Sequence, residues 1–148
     1  MTSTKEATYG RLDPMLAAIE ALVRCESPSE DLAACQNVVR LASDIATRVL
    51  GTPAQIKEIE GRPVFWWGAN APEILLLAHL DTVWPHGSYS PLWEVNGDVV
   101  RGPGVFDMKA GFLQAIYAVK EIPNAASKVA IIATTDEELG SQSSKALI

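Results

Sequence analysis

The run AHLDTVWPHG, residues 78–87, sets His79 and Asp81 two apart at the end of an apolar stretch, Ile74 to Ala78, that reads as a buried strand. Side chains alternate across a strand, so both point the same way. Such a pair is either a metal ligand with the carboxylate that fixes its tautomer and raises its basicity, or a hydrogen-bonded surface pair. Two further acidic positions follow: Asp107 in RGPGVFDMKAG, and Glu137 with Glu138 in ATTDEELGS. Four of these five candidates are carboxylates. Hard oxygen donors with one imidazole suit zinc, manganese or cobalt, whereas thiolate-rich sets suit structural zinc or iron–sulfur clusters. Cys25 and Cys35 are wrongly placed to contribute.

Glu137 and Glu138 are adjacent, and in a regular strand they would face opposite sides. They converge only if the backbone leaves the strand at Asp136, in a turn that Gly140 would help to close. One carboxylate could then hold a metal while its neighbour takes a proton from an activated water, which is the chemistry of a hydrolase. Each cluster has a plainer reading when taken alone. The acidic run could be a solvated loop or helix start, and Asp107 could cap the helix that begins near Lys109. Their conjunction, each at a strand end or beside glycines, favours one shared site. His86, in WPHGSYSP, reads as a surface or pocket-wall residue. Trp66, Trp67, Trp84 and Trp93 read as packing or hairpin residues, with Trp84 near enough to His79 in sequence to line a pocket. The glycines around Asp107 lack the ending of a phosphate loop, and no dinucleotide fingerprint is present.

The elements that must position these residues follow from periodicity. Met15, Ile19, Leu22 and Val23 recur at helical spacing over Pro14 to Arg24. Ser29 reads as the N-cap of a second helix that carries an apolar stripe to about Leu50, where Gly51 and Pro53 stop it. Strands are expected at Gln55–Ile59 and Pro63–Trp67, with Gly61 and Arg62 as their turn, and at Glu73–Leu80. A hairpin is expected around Asn96 and Gly97, between Trp93–Val95 and Asp98–Val100. Lys109 to Glu121 reads as a helix ended by Pro123 and Asn124, Lys128 to Thr135 as a strand, and Ser141 to Ile148 as the start of another helix. Apolar runs separated by helices predict an α/β fold with a mixed sheet flanked by helices and covered on both faces. No repeat or low-complexity linker interrupts the chain. It stops inside the helical pattern SQSSKALI, which is expected of a piece of a longer protein.

Length and composition fit one globular domain: 148 residues, 48% apolar and 20% charged, with a formal net charge of −6. No basic stripe exists to neutralise phosphates, so a nucleic-acid role is not expected. No run approaches the roughly 20 apolar residues of a membrane span. The segment MTSTKEATYGRLDPMLAAIEALVRC lacks the pattern of a signal peptide, its apolar stretch being broken by Glu20, so a cytoplasmic location with both cysteines reduced is expected.

The segments HLDTV, GPGVFDMKAG and TTDEELGS, in this order, resemble those of the dizinc aminoacylase/carboxypeptidase family, which includes glutamate carboxypeptidase, acetylornithine deacetylase and succinyl-diaminopimelate desuccinylase. The resemblance runs from about Leu22 to Ile148 and implies a zinc-exopeptidase-like catalytic domain, here incomplete. It implies that His79 binds one zinc, Asp81 orients His79, Asp107 bridges two zincs, Glu137 is the general base and Glu138 binds the second zinc. Cobalt or manganese could substitute. On these roles, Asp107→Ala would hurt activity more than Asp81→Ala. A cis Asp107–Met108 peptide is also implied. Met108 stands where the glutamate-carboxypeptidase branch often has a second acidic residue, which leaves the ligand set intact. Family members are more than twice as long. Their lid or dimerisation domain, the C-terminal part of the catalytic domain, a further acidic ligand, a late histidine and the groups that recognise a substrate carboxylate have no counterpart here. The expected function is therefore that of the N-terminal part, residues 1–148, of a zinc-dependent amide-bond hydrolase acting on a small peptide or N-acyl amino acid. By itself this part is expected to be inactive and prone to self-association or dimerisation. The alternative is a truncated, non-catalytic metal-binding or interaction module.

Overall fold

The computed structural model describes residues 12–147. The first eleven residues, where the absence of a leader pattern was noted, and Ile148 lie outside the described residues. Helix α1 spans Leu12–Arg24 and turns Ile19, Leu22 and Val23 inward. Helix α2 spans Leu32–Leu50 and ends at Gly51 in the left-handed region. Its N-cap is Asp31, whose side chain accepts the Ala34 N–H, and not Ser29 as the capping pattern predicts. Either residue type can cap, and the pattern alone does not choose between positions two apart.

Strands β1 (Gln55–Ile59), β2 (Arg62–Gly68), β3 (Ile74–His79) and β6 (Val129–Thr134) form one sheet in the order β1-β2-β6-β3. β1/β2 and β2/β6 are antiparallel, and β6/β3 is parallel, so the sheet is mixed. The β1–β2 turn is Glu60–Gly61, with φ 48° and 81°, and Arg62 belongs to the strand. Positive φ at both central residues is what a two-residue hairpin of this twist demands. A second hairpin pairs β4 (Glu94–Asn96) with β5 (Val99–Arg101), its turn at Gly97–Asp98, one residue later than the Asn-Gly signal suggests. Helix α3 is Ala110–Val119, shorter than its sequence pattern, and the segment expected to start a last helix forms a 3₁₀ turn at Ser144–Leu147.

Phe65 and Trp67 of β2, Val129, Ile131 and Ala133 of β6, and Ala78 of β3 share one core with the inner faces of α1, α2 and α3. Within it Phe65 meets Phe112 edge to face, their ring centroids 5.1 Å apart. Alternation sends Leu75 and Leu77 of β3 to the other face, where they are 39% and 46% exposed. Among the described residues the three long helices lie on one face of this mixed sheet, while on the other face Ala130 and Ile132 of the central strand are buried. An apolar run reports that a strand prefers apolar surroundings; it does not report which element supplies them.

What matters for the site is the parallel pair. β3 and β6 run side by side with His79 opposite Thr134, so both strands deliver their ends to one edge of the sheet. Crevices outside the carboxyl ends of parallel strands are where α/β sheets collect functional groups.

Candidate metal centre

His79 is the last residue of β3, and Asp81 follows two positions later, both buried. The His79 Nδ1 lies 3.3 Å from Asp81 Oδ1 and 3.2 Å from the Asp81 backbone oxygen. Both neighbours accept and cannot donate, which places a proton on Nδ1 and turns Nε2 outward. Facing Nε2 at 3.0 Å is Asp107 Oδ1, and Glu137 Oε2 lies 3.8 Å away.

Asp107 reaches this position from an irregular loop. Gly104 at φ 70° opens a wide helical turn over Val105–Lys109, inside which Asp107 and Met108 leave helical geometry, and the Asp107–Met108 peptide is cis. Glycine is required at 104, since a Cβ there would sit 2.6 Å from Thr82 Cγ2. The Asp107 carboxylate does not cap α3, whose N-terminus has no side-chain cap. The loop is tied down by Lys109, a fully buried residue whose ammonium donates to the carbonyls of Leu22 (2.9 Å) and Cys25 (3.1 Å) at the end of α1. Burial pulls the Lys109 pKa down to about 8, against the raising influence of Cys25 and Glu26.

The glutamate pair converges as the backbone argument requires. β6 ends at Thr134, Asp136 departs from strand geometry, a 3₁₀ turn carries Glu137–Leu139, and Gly140 closes it in the left-handed region. The turn is pinned from two sides. Asp136 Oδ2 accepts from the backbone and hydroxyl of Ser143 and the backbone of Ser144, while the Glu137 and Glu138 N–H groups donate to Asp81 Oδ1 (3.4 Å) and Oδ2 (3.2 Å).

These placements bring donor atoms of His79, Asp107 and Glu138 within 4.8 Å of one another. Two carboxylates and an imidazole, the latter held by a carboxylate on its far nitrogen, match the donor chemistry of zinc, cobalt or manganese, and the residues present fit such an ion. The electrostatics point the same way. Burial would lower the pKa of His79, but hydrogen bonds to Asp81 and Asp107 and the charges of Asp81 and Glu137 outweigh it and push it up to about 9. Burial raises Asp81, yet the bonds from His79, Ser29 and the Glu138 backbone hold it below the usual carboxylate range. Glu138 is pushed up by burial and by the charges of Asp107, Asp81 and Glu137. The cluster is thus an excess of negative charge gathered around one imidazole, a field that attracts a cation.

Sequence reasoning missed Ser29, Arg62 and Lys109. Ser29 donates to Asp81 Oδ2 at 2.7 Å, and Arg62 Nη1 donates to the carbonyls of Ser29 (2.9 Å) and Thr135 (2.6 Å). One signal was available: the Ser-Pro-Ser alternation at 27–29, of which only Ser29 is given a role, as a helix N-cap, is that of an extended segment with both hydroxyls on one side. His86 sits 3.1 Å from Asp31 and 3.7 Å from Glu26, half exposed and away from the donor cluster. Trp84 packs edge to face on Tyr89 at 5.0 Å, and Trp67 is a core residue. Cys25 and Cys35 are free thiols.

The likenesses to known proteins agree with this architecture. The metallo-carboxypeptidase Sso-CP2 of Sulfolobus solfataricus superposes with a TM-score of 0.70 at 20% identity, over 86% of this chain and 32% of that one. Human carnosine dipeptidase 1 gives 0.69 at 18% identity, over 96% and 36%. The di-peptidase Dug1p of Saccharomyces cerevisiae gives 0.59 at 15%, over 94% and 35%. At these identities the likeness shows the fold. Carboxypeptidase G2 of Pseudomonas sp. (strain RS-16) is 31% identical over 86 residues, 55% of this chain and 21% of the relative. The chain thus spans about a fifth of that curated relative and about a third of each solved chain. Residues 75–148, which carry all five candidate residues, match the model of peptidase family M20/M25/M40. With that match covering half of its length, the chain belongs to peptidase family M20/M25/M40.

Proposed function

We propose that the chain is the N-terminal part of the catalytic domain of a zinc-dependent amide-bond hydrolase, a carboxypeptidase or N-acyl amino acid deacylase. The observation that carries this reading is the convergence of His79, Asp107 and Glu138 donor atoms, from three separate elements, within 4.8 Å. In it His79, Asp107 and Glu138 hold zinc, and further ligands come from parts of the relatives that this chain does not match. The chemistry zinc supplies when bound is Lewis-acid polarisation of a carbonyl and acidification of a water. Asp81 keeps the proton of His79 on Nδ1 and so aims the Nε2 lone pair at the donor cluster. Glu137, its carboxylate half exposed beside Nε2, accepts the proton of the attacking water and delivers it to the leaving nitrogen.

Substitution separates these roles. In the full-length protein Glu137→Gln should lower turnover of N-acyl amino acids or dipeptides by about 10²- to 10⁴-fold and leave zinc content unchanged, because an amide keeps the shape and cannot take the proton. Glu138→Gln should release zinc. Zinc content by atomic spectroscopy beside the hydrolysis assay reads both. Equal zinc loss in the two variants would overturn the assignment, and wild-type protein that binds zinc without turnover would support the non-catalytic module instead.

A further inference from the structure

We infer that Ser29 is a positioning residue of the candidate metal centre, acting through Asp81 on His79 and on the turn that bears Glu137 and Glu138. This rests on the reading of the site proposed above. The Asp81 carboxylate is fully buried and has four polar neighbours. Oδ2 accepts the Ser29 hydroxyl at 2.7 Å and the Glu138 N–H at 3.2 Å, while Oδ1 accepts the Glu137 N–H at 3.4 Å and faces His79 Nδ1 at 3.3 Å. The Ser29 bond is the shortest of the four. An ionised acceptor makes it a strong one, and the three longer contacts are arranged around the position it fixes.

Ser29 is itself braced. Its N–H donates to the Thr82 carbonyl at 3.2 Å, and its own carbonyl accepts from Arg62, the same guanidinium nitrogen that holds Thr135 just ahead of the glutamate turn. Two residues earlier the Ser27 hydroxyl donates to the Leu80 carbonyl at 2.6 Å, and the Thr82 N–H donates to the Ser27 carbonyl at 2.9 Å. Residues 27–29 therefore form a strap laid along residues 80–82, with Asp81 clamped at its centre. Without the Ser29 hydroxyl, Oδ2 keeps only the 3.2 Å bond from the Glu138 N–H, and the carboxylate is held by its three longer contacts alone. Both the imidazole and the glutamate turn are then held less firmly.

The chain has two histidines, which makes the test direct. In the metal-free protein, ¹H–¹⁵N spectra of the histidine rings should show one slowly exchanging Nδ1–H, that of buried His79, with assignment checked by His86→Gln. Ser29→Ala should shift this resonance and speed its exchange with water about tenfold or more, and titration with cobalt(II) should show about 10- to 100-fold weaker binding. Ser29→Thr, which keeps the hydroxyl, should hold both close to wild type. An unchanged resonance and unchanged cobalt affinity in Ser29→Ala, even with a lowered melting temperature, would make Ser29 merely structural and overturn the inference. Hydrolysis does not enter this readout, so a failure of the hydrolase reading would show separately, in the Glu137 variants.

Discussion

Asp81 serves four partners with two oxygens, so its loss undoes more than the orientation of one imidazole. Asp81→Ala takes the shorter acceptor from the Ser29 hydroxyl, which keeps the Thr82 carbonyl at 3.3 Å, and leaves the part-buried Glu137 and Glu138 N–H groups without theirs, where a fully buried unpaired group would cost about 1–3 kcal/mol. We expect the metal-free variant to unfold with about 1–3 kcal/mol less stability in urea, whereas Asp107→Ala, whose side chain is 70% exposed, should cost only the smaller share that its single bond to His79 supplies and act chiefly on metal binding. Matching stability losses in the two variants would remove Asp81 from its central place. The pH dependence of the metal-free protein belongs to the same residues. His79, raised from 6.5 to about 9 by its bonds to Asp81 and Asp107 against burial, contributes stability that is complete below about pH 6.5 and fades as pH rises toward 9. Lys109, lowered by burial from 10.5 to about 8, opposes folding below about pH 8, and that cost is relieved between 8 and 10.5. Between pH 6.5 and 8 only the first effect operates, so stability should fall there by on the order of 2 kcal/mol and then level off. Urea titrations across this range check it, and His79→Gln should flatten the fall. The five candidate residues were legible because their types, their spacing and the adjacent glycines lie within short segments. Ser29, Arg62 and Lys109 were not, because their partners lie 52, 73 and 84–87 residues away and nothing local marks them.

At the scale of elements, the loop from Gly104 to Lys109 is the part most exposed to a small change. Gly104 supplies a positive φ, a close approach to Thr82 and the carbonyl that accepts the Lys109 N–H. Gly104→Ala meets strain and the buried, β-branched Thr82 side chain together, and we expect about 1–3 kcal/mol of lost stability and a weaker hold on cobalt, read by denaturation and by titration. Wild-type values for both would mean that the loop absorbs the methyl group. Helices α1 and α2 and the strands were legible from period alone, since each buries one face over many residues. Their ends were less so. The turn at Glu60–Gly61, the hairpin at Gly97–Asp98 and the cap at Asp31 are decided by backbone dihedrals and single hydrogen bonds, where two neighbouring residues have nearly equal claims.

For the molecule as a whole, the described residues bring one group of three donors, while a pair of zincs at three protein ligands each, with Asp107 counted for both, would need two donors more. We expect the 148-residue chain alone to bind zinc weakly and to show no amide hydrolysis. Calorimetric titration to two tightly held zincs per chain would contradict this and imply donors from a second copy. Strand β3 stands at the sheet edge with Ile74, Leu75 and Leu77 exposed, so the isolated chain should self-associate, with a mass in light scattering that grows with concentration. A Leu77→Lys variant that associates as strongly would exclude this face. How much of the sheet is covered could not be read in advance, because burial of a face is settled by elements distant in sequence.

The strand order carries a consequence for how the chain is made. β6, all six residues buried, is the central partner of both β2 and β3, and it is the last of the four in chain order. Until Val129 leaves the ribosome, the β1–β2 hairpin and the apolar segment ILLLA have no sheet to join, and His79 has no neighbouring strand end to stand beside. Native pairing of this non-local kind is slow and leaves apolar surface open meanwhile. The nascent chain should therefore depend on holding chaperones until Val129–Thr134 has emerged, and His79, Asp107 and Glu138 should come together in one step with the sheet.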